Sequence, residues 1–265
     1  MKRILAVVLA ATMTIGLTAC GAKEEESAGY VDDGVLTVGI DEDFPPMSFI
    51  GEDGEITGFD MEVCTEGAKR MGMEIKIQPI SWDAKDMELE SGTIDCIWDA
   101  FTMNGREDLY TWTTPYMDNE QVIVVAADSG ITSLADLAGK TVEVQADSSA
   151  ETAFKEDKAD LADTFGSLLT VPEYNTAFMD LEQGAVDAIA LDIIVADYQL
   201  QQRGDGKFIV LDEPIATEQY AVGMKLGNTE LCEQIQAVLD EMAADGTLAE
   251  ISTKWFGEDI TTLGK

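Results

Sequence analysis

From Val35 to Trp98 the chain alternates short β runs with helical stretches, and this alternation restricts the fold more than any other feature. Val35-Leu36-Thr37-Val38-Gly39-Ile40 is rich in β-branched residues and reads as a strand. Met61, Cys64, Ala68 and Met71 recur at helical spacing, with Asp60 expected as the cap of a helix that ends near Met71. Glu74 to Pro79 is a second strand. A helix follows Trp82 and Asp83 and runs to Ser91, where Gly92 stops it. Ile94 to Trp98 is a short apolar run of the length of a buried strand. The order β-α-β-α-β implies parallel strands joined by right-handed crossovers, so the fold class is α/β.

A second alternation begins after a long β run that includes Gln121-Val122-Ile123-Val124-Val125. Thr141 to Val144, Leu168 to Val171, Ala188 to Leu191 and Phe208 to Leu211 read as strands. Helices are expected after Asp147-Ser148-Ser149, from Asn175 to Gln183 and from Ile193 to Gln202. A further β segment, Gln219 to Met224, precedes two closing helices, Thr229 to Ala244 and Leu248 to Trp255. Two β segments thus bracket the second unit, which predicts a domain inserted into another. Residues 34–120 and 217–265 would form lobe 1, and residues 121–216 would form lobe 2, joined by two crossing strands that act as a hinge.

The apolar run at Ile94 opens into the loop Asp99-Ala100-Phe101-Thr102-Met103-Asn104-Gly105-Arg106. Polar groups gathered where a buried strand ends are the usual ligand site of an open α/β sheet. Cations are scarce, with 16 Lys and Arg against 52 Asp and Glu, so an arginine in this loop suggests an anionic ligand group held by its two-pronged fork. The plainer alternative is a surface pairing of Arg106 with Glu107 or Asp108. Upstream, Asp41-Glu42-Asp43-Phe44-Pro45-Pro46 is barred from helix by its prolines and can present Asp41 and Phe44 to a cleft.

At the N-terminus Lys2 and Arg3 precede an apolar run, Ile4 to Leu17, too short to span a bilayer. Its end, Leu17-Thr18-Ala19-Cys20-Gly21, resembles the lipobox of bacterial lipoproteins. That resemblance implies a signal peptide at 1–19, a lipidated Cys20 and a flexible tether over 20–33. Removal of residues 1–19 shifts the formal net charge from -36 to -38. Such a charge repels nucleic acid and anionic membrane surfaces, so contact with a membrane would run through the lipid alone. Histidine is absent, which removes the commonest general base and metal ligand. Cys64, Cys96 and Cys232 have no metal-like spacing and sit in apolar contexts, expected as buried thiols rather than a disulfide plus one thiol. No metal and no cofactor is expected.

Several stretches, taken together and in order, look like the polar amino-acid substrate-binding proteins of ABC transporters. They are Leu36-Thr37-Val38-Gly39, Phe44-Pro45-Pro46, Gly54-Glu55-Ile56-Thr57-Gly58-Phe59-Asp60, the run Ser133 to Lys140, and Ala243 to Leu248 with Lys254-Trp255-Phe256-Gly257. The resemblance covers residues 34 to 258. It implies a periplasmic-binding-protein-like type II fold: two lobes of mixed, mainly parallel sheet flanked by helices, joined by a two-strand hinge and closing on an amino acid. Carried over by position, Arg106 would grip the ligand α-carboxylate, with Ala100 and Thr102 supplying backbone and hydroxyl contacts. Ser149 would offer its amide, at a helix start where N–H groups are free. Asp192 would pair with the α-ammonium, with or without serving as the cap of the helix that follows it. Phe44 and Trp82 would sandwich the side chain. Three positions depart from the family pattern. The Thr102 to Arg106 spacing is one residue short, Asp99 stands where a small or amide residue is commoner, and Asp147 stands where glycine is usual.

The resemblance implies a monomeric binding module that delivers a free amino acid to ABC permease subunits. A dehydratase-like enzyme on the same fold and an amino-acid-sensing ectodomain are the alternatives. Asp41 and Asp99 are expected to border the ligand side chain. Two carboxylates in one cleft would favour a cationic side chain and exclude an acidic one. If Asp99 instead turns to backbone amides, a neutral polar ligand such as glutamine or cystine is expected.

Overall fold

The computed structural model describes residues 34–204 and 206–265. The expected signal peptide, tether and lipidation site at Cys20 lie outside the described residues.

The first part of the chain forms β1 (Val35–Ile40), β2 (Asp43–Phe44), β3 (Ser48–Ile50), β4 (Ile56–Thr57), α1 (Phe59–Met71), β5 (Glu74–Pro79), α2 (Lys85–Ser91), β6 (Cys96–Ile97) and β7 (Tyr110–Trp112). Then come β8 (Met117–Ala126), β9 (Thr141–Gln145), α3 (Ser149–Lys155), α4 (Ala159–Ala162), β10 (Ser167–Val171), α5 (Tyr174–Gln183), β11 (Ala188–Asp192), α6 (Ile193–Arg203) and β12 (Phe208–Val210). The chain closes with β13 (Ala216–Tyr220), β14 (Gly223–Lys225), α7 (Thr229–Asp245) and α8 (Thr247–Phe256).

The strands form two main sheets. One has the order β5-β1-β6-β14-β7, and the other β10-β9-β11-β8-β12 with β13 also on β8. β1 pairs in parallel with β5 and β6, and β9 with β10 and β11, as the strand–helix alternation requires. β8 runs antiparallel to β11, β12 and β13, and β14 runs antiparallel to β6 and β7. The predicted β segment from Gln219 to Met224 is two strands, β13 and β14, one in each sheet. Residues 113–116 and 221–222 therefore carry the chain between the sheets.

One hydrophobic cluster runs through both sheets, from Leu36, Val38 and Ile40 on β1 to Val122, Val124 and Tyr174. The far faces hold separate clusters around Ile94, Ile97 and Phe101 in the first sheet and Ile123, Val142 and Ala190 in the second. Met61, Cys64 and Ala68 turn the apolar face of α1 inward, as their spacing predicts. Each fully buried aliphatic or aromatic side chain contributes roughly 1.5–3 kcal/mol of transfer free energy.

Asp60 is not the cap of α1. Gly58 occupies that position with φ 142, and a Cβ there would come within 2.1 Å of the Met47 carbonyl oxygen. Asp60 lies in the first turn, wholly buried, and its carboxylate is used elsewhere. Cys64 and Cys96 are buried free thiols and Cys232 is a partly buried one. Among the described residues no helix is long and apolar enough to cross a membrane, and no group of three or more Cys, Asp or Glu is placed to hold a metal ion.

Candidate functional site

A narrow cavity lies where the carboxyl ends of β1 and β6 meet those of β9 and β11. Phe44, Trp82, Asp99, Ala100, Thr102 and Arg106 line it from the first sheet's side, and Gln145, Ser148, Ser149 and Asp192 from the second. All the expected ligand residues except Asp41 are thus brought together. Gln145 and Ser148 were not anticipated.

Arg106 is half-buried, and its guanidinium sits 5.5 Å from the Phe101 ring centre. It makes no ion pair with Glu107 or Asp108. It donates instead to two carbonyl oxygens, Thr102 at 3.2 Å and Asp147 at 3.3 Å. Neutral acceptors leave its charge uncompensated, and its remaining N–H groups are free for an anion. The short loop that carries it is tied to β13: Met103 N–H donates to the Gln219 carbonyl at 3.0 Å, and Gln219 N–H donates to Asn104 Oδ1 at 2.8 Å. These bonds fix the Arg106 backbone despite the shortened spacing.

Ala100 has a left-handed backbone, φ 44, which costs a residue with a Cβ roughly 1–2 kcal/mol. Asp60 holds it there, accepting the Ala100 N–H at 2.7 Å and the Tyr116 hydroxyl at 3.0 Å on one oxygen. The Ala100 N–H is therefore spent within the protein, and the residue can offer a ligand only its carbonyl. Burial pushes the Asp60 carboxyl up to about 7, against these two hydrogen bonds that pull it down.

Asp41 and Asp99 do not face a ligand side chain as a free carboxylate pair. Asp99 accepts the Asp41 N–H at 2.5 Å on one oxygen and the Ser48 hydroxyl on the other. Burial, then the charge of Asp60, push its carboxyl well above the ordinary range. Asp41 accepts the Asp43 N–H at 2.9 Å and the Gln145 amide at 2.5 Å, and burial pushes it up to about 6. The local reason is the turn after β1. Its N–H groups would be buried without partners, and these two acids satisfy them.

Asp192 stands at the start of α6 but makes no capping hydrogen bond. Its Oδ1 accepts from Asn119 Nδ2 at 2.8 Å, Gln121 Nε2 at 2.7 Å and the Tyr220 hydroxyl at 2.6 Å. None of the three donors meets Oδ2. Burial, then the charge of Glu218, push the carboxyl up to about 8.

Several bonds draw the two sides together over the cavity. Gln145 reaches Asp41, Asn175 donates to Asp43 at 2.7 Å, and Thr102 Oγ1 lies 3.5 Å from Ser149 Oγ. Lys85, 1 % exposed, pairs with Asp147 and lies 5.4 Å from the Trp82 ring centre. Asp147 has φ 59, a conformation glycine adopts freely and aspartate tolerates better than most residues. Asp147 thus supplies the partner for a buried lysine. Ser148 caps α3 by accepting Glu151 N–H at 3.2 Å, while Glu151 accepts Asp147 N–H at 2.8 Å, which fixes the backbone beside Ser149.

This geometry accords with what known proteins show. The profile of the bacterial extracellular solute-binding proteins, family 3, matches residues 36–258. The chain belongs to that family. Two curated members are similar over nearly their whole length. The L-cystine-binding protein TcyJ of Escherichia coli K12 is 30% identical over 96% of this chain and 95% of its own. The arginine-binding extracellular protein ArtP of Bacillus subtilis is 29% identical over 97% of this chain and 98% of its own. Among solved structures, an ABC uptake transporter substrate-binding protein from Streptococcus pneumoniae with bound histidine superposes with a TM-score of 0.83. It is 35% identical and covers 86% of this chain and 95% of its own. The family-3 fold, two α/β lobes of mixed sheet, is the one described above.

Proposed function

We propose that this family-3 protein captures a free, neutral polar amino acid between its lobes and delivers it to the permease of an ABC transporter, acting as a binding module rather than an enzyme. The observation that carries the reading is one cavity holding Arg106, without an acidic partner, and Asp192, whose three donors leave Oδ2 unused. A cation and a carboxyl group brought into one cavity match the two charges of an amino-acid zwitterion. Phe44 and Trp82 supply apolar walls for the side chain. The relatives that bind cystine, arginine and histidine support a free amino acid as the ligand. A neutral side chain is favoured because Asp41 and Asp99 are both satisfied within the protein, and an acidic one is disfavoured because Lys85 is already paired with Asp147. The proposed lobes divide where the chain crosses between the sheets, at 113–116 and 221–222, a few residues from the expected boundaries at 120/121 and 216/217.

Calorimetric titration of the twenty amino acids and cystine against residues 34–265 tests this. A neutral polar ligand is expected to bind most tightly and to be recovered unchanged, with glutamate at least about tenfold weaker, the equivalent of one unmet charge-assisted hydrogen bond. Glutamate binding more tightly than glutamine, or conversion of the ligand, would overturn the reading.

We further propose that the protein works outside the cytoplasmic membrane, tethered through a lipid on Cys20, as the Leu17 to Gly21 motif after an apolar run suggests. Metabolic labelling with a tagged fatty acid should mark the wild type and not Cys20→Ala. Equal label on both would exclude the anchor.

A further inference from the structure

The second sheet holds a second buried acid beside Asp192. β8 lies between β11 and β13, and its register sets Asp192 opposite Gln121 and Glu218 opposite Asn119. Residues 119 and 121 share one face of β8, so both amides meet both acids. Asn119 Nδ2 donates to Glu218 Oε1 at 2.6 Å as well as to Asp192, and Gln121 Nε2 donates to Glu218 Oε1 at 2.7 Å as well as to Asp192. Asp192 and Glu218 are 4 % and 5 % exposed, and all four groups are closed off from water. The amide oxygens Asn119 Oδ1 and Gln121 Oε1 are buried without donors, so the cluster is short of protons.

Two carboxylates sharing the same donors in a dry site repel, and loss of one negative charge relieves both the repulsion and the desolvation. The other titratable groups around Asp192 do not offset this. Tyr220 from β13 and Tyr174 from α5 are pushed well above the ordinary phenol range by burial and stay neutral. Across the cavity stand Asp99 and Arg106, and Arg106 is bonded to the carbonyls of Thr102 and Asp147.

We propose that Glu218 is a positioning residue for ammonium capture: its carboxylate, sharing donors with Asp192, favours a proton on Asp192 in the empty protein, and the ligand ammonium displaces that proton to the solvent. The step balances as loss of H⁺ from the Asp192 carboxyl to buffer and gain of the ammonium ion by the Asp192 carboxylate, with no bond made to carbon. The position of the Asp192 carboxyl, pushed up to about 8 by burial and by Glu218, supports it. Binding therefore tightens as pH rises from about 6 towards 8, up to about tenfold per unit for one proton released. The inference rests on the reading of Asp192 as the ammonium partner.

The test is titration calorimetry of residues 34–265 in three buffers of different ionisation enthalpy at pH 6.5. The probe is whichever of L-glutamine, L-cystine, L-histidine and L-arginine gives the largest heat. Wild type should release close to one proton per ligand bound, and Glu218→Gln should release measurably fewer and show a shallower pH profile, since burial alone still raises Asp192. Asp192→Asn should lose most of its affinity. If Asp192→Asn binds as wild type does, the assignment of the ammonium site is wrong. If Asp192→Asn loses binding but wild type exchanges no proton, or Glu218→Gln releases as many protons as wild type, the role of Glu218 alone is overturned. The wild-type measurement decides even if Glu218→Gln fails to fold.

Discussion

Arg106→Ala is expected to weaken amino-acid binding by at least about a hundredfold in calorimetric titration, with little change in the melting temperature of the empty protein. Removing one partner of a desolvated, hydrogen-bonded charge pair costs about 2–5 kcal/mol, and each 1.4 kcal/mol is about a tenfold change in affinity. Two effects add. The ligand carboxylate would lose the one cation that lines the cavity among the described residues, and the two sides would lose the bond from Arg106 to the Asp147 carbonyl. Stability should be spared because Arg106 is only half-buried and its protein partners are two carbonyls at 3.2 and 3.3 Å, long and weakly held. Arg106→Lys keeps the charge but not the fork, and its affinity should fall between the two. Binding by Arg106→Ala within threefold of wild type would remove the carboxylate role.

The residues that could be read from sequence share a trait: each combines a chemical type with a position that the strand–helix alternation already determines. Arg106, Thr102 and Ala100 follow the apolar run that becomes β6, and Asp192 ends β11, so topology alone brings them to one cavity. Side-chain direction is a different matter. Asp41 is expected to face the ligand from its place beside Phe44, and Asp99 from the end of its strand and the family resemblance. Asp99 does line the cavity, but the oxygens of both acids satisfy polar groups of the same buried turn, which no one-dimensional pattern displays. Asp60 has the sequence context of a helix cap, yet Gly58 takes that place and frees the carboxylate for Ala100, some forty residues along the chain. Glu218 gave no local signal. Asn119 and Gln121 did give one. They alternate with Asp118 and Glu120, which sends the neutral amides to the inner face of β8 and the charges to solvent.

The ligand-free protein is expected to be more stable at pH 5 than at pH 8, by on the order of 10 °C in melting temperature. Asp41, Asp60 and Asp192 are pushed up to about 6, 7 and 8, and burial is the first cause in each case. In the unfolded chain an aspartate titrates near 3.9. Between about pH 4 and these raised values the folded state holds protons that the unfolded state has released. The unfolding free energy therefore falls as pH rises through this window. One pKa unit corresponds to about 1.4 kcal/mol, and 1 kcal/mol moves the melting temperature of a protein this size by roughly 2–4 °C. Opposing groups act elsewhere. Glu66, Asp136, Asp245 and Asp259 are held below the ordinary range, chiefly by hydrogen bonds at Glu66, Asp136 and Asp245, so their stabilisation is lost only as pH falls below about 4. Repulsion within a chain of net charge -36 changes in the same sense as the buried acids, but high salt screens it. Scanning calorimetry in 0.5 M NaCl across pH 5 to 8 separates the two, since the buried groups respond little to salt. Asp60→Asn, which keeps an acceptor for the Ala100 N–H and the Tyr116 hydroxyl, should flatten the profile. So should saturating amino acid, because an ammonium ion beside Asp192 removes that residue's preference for a proton. A melting temperature at pH 8 equal to or above that at pH 5 would mean that these acids are already ionised at pH 5 in the folded protein, and that the cleft is far more polar than its packing indicates.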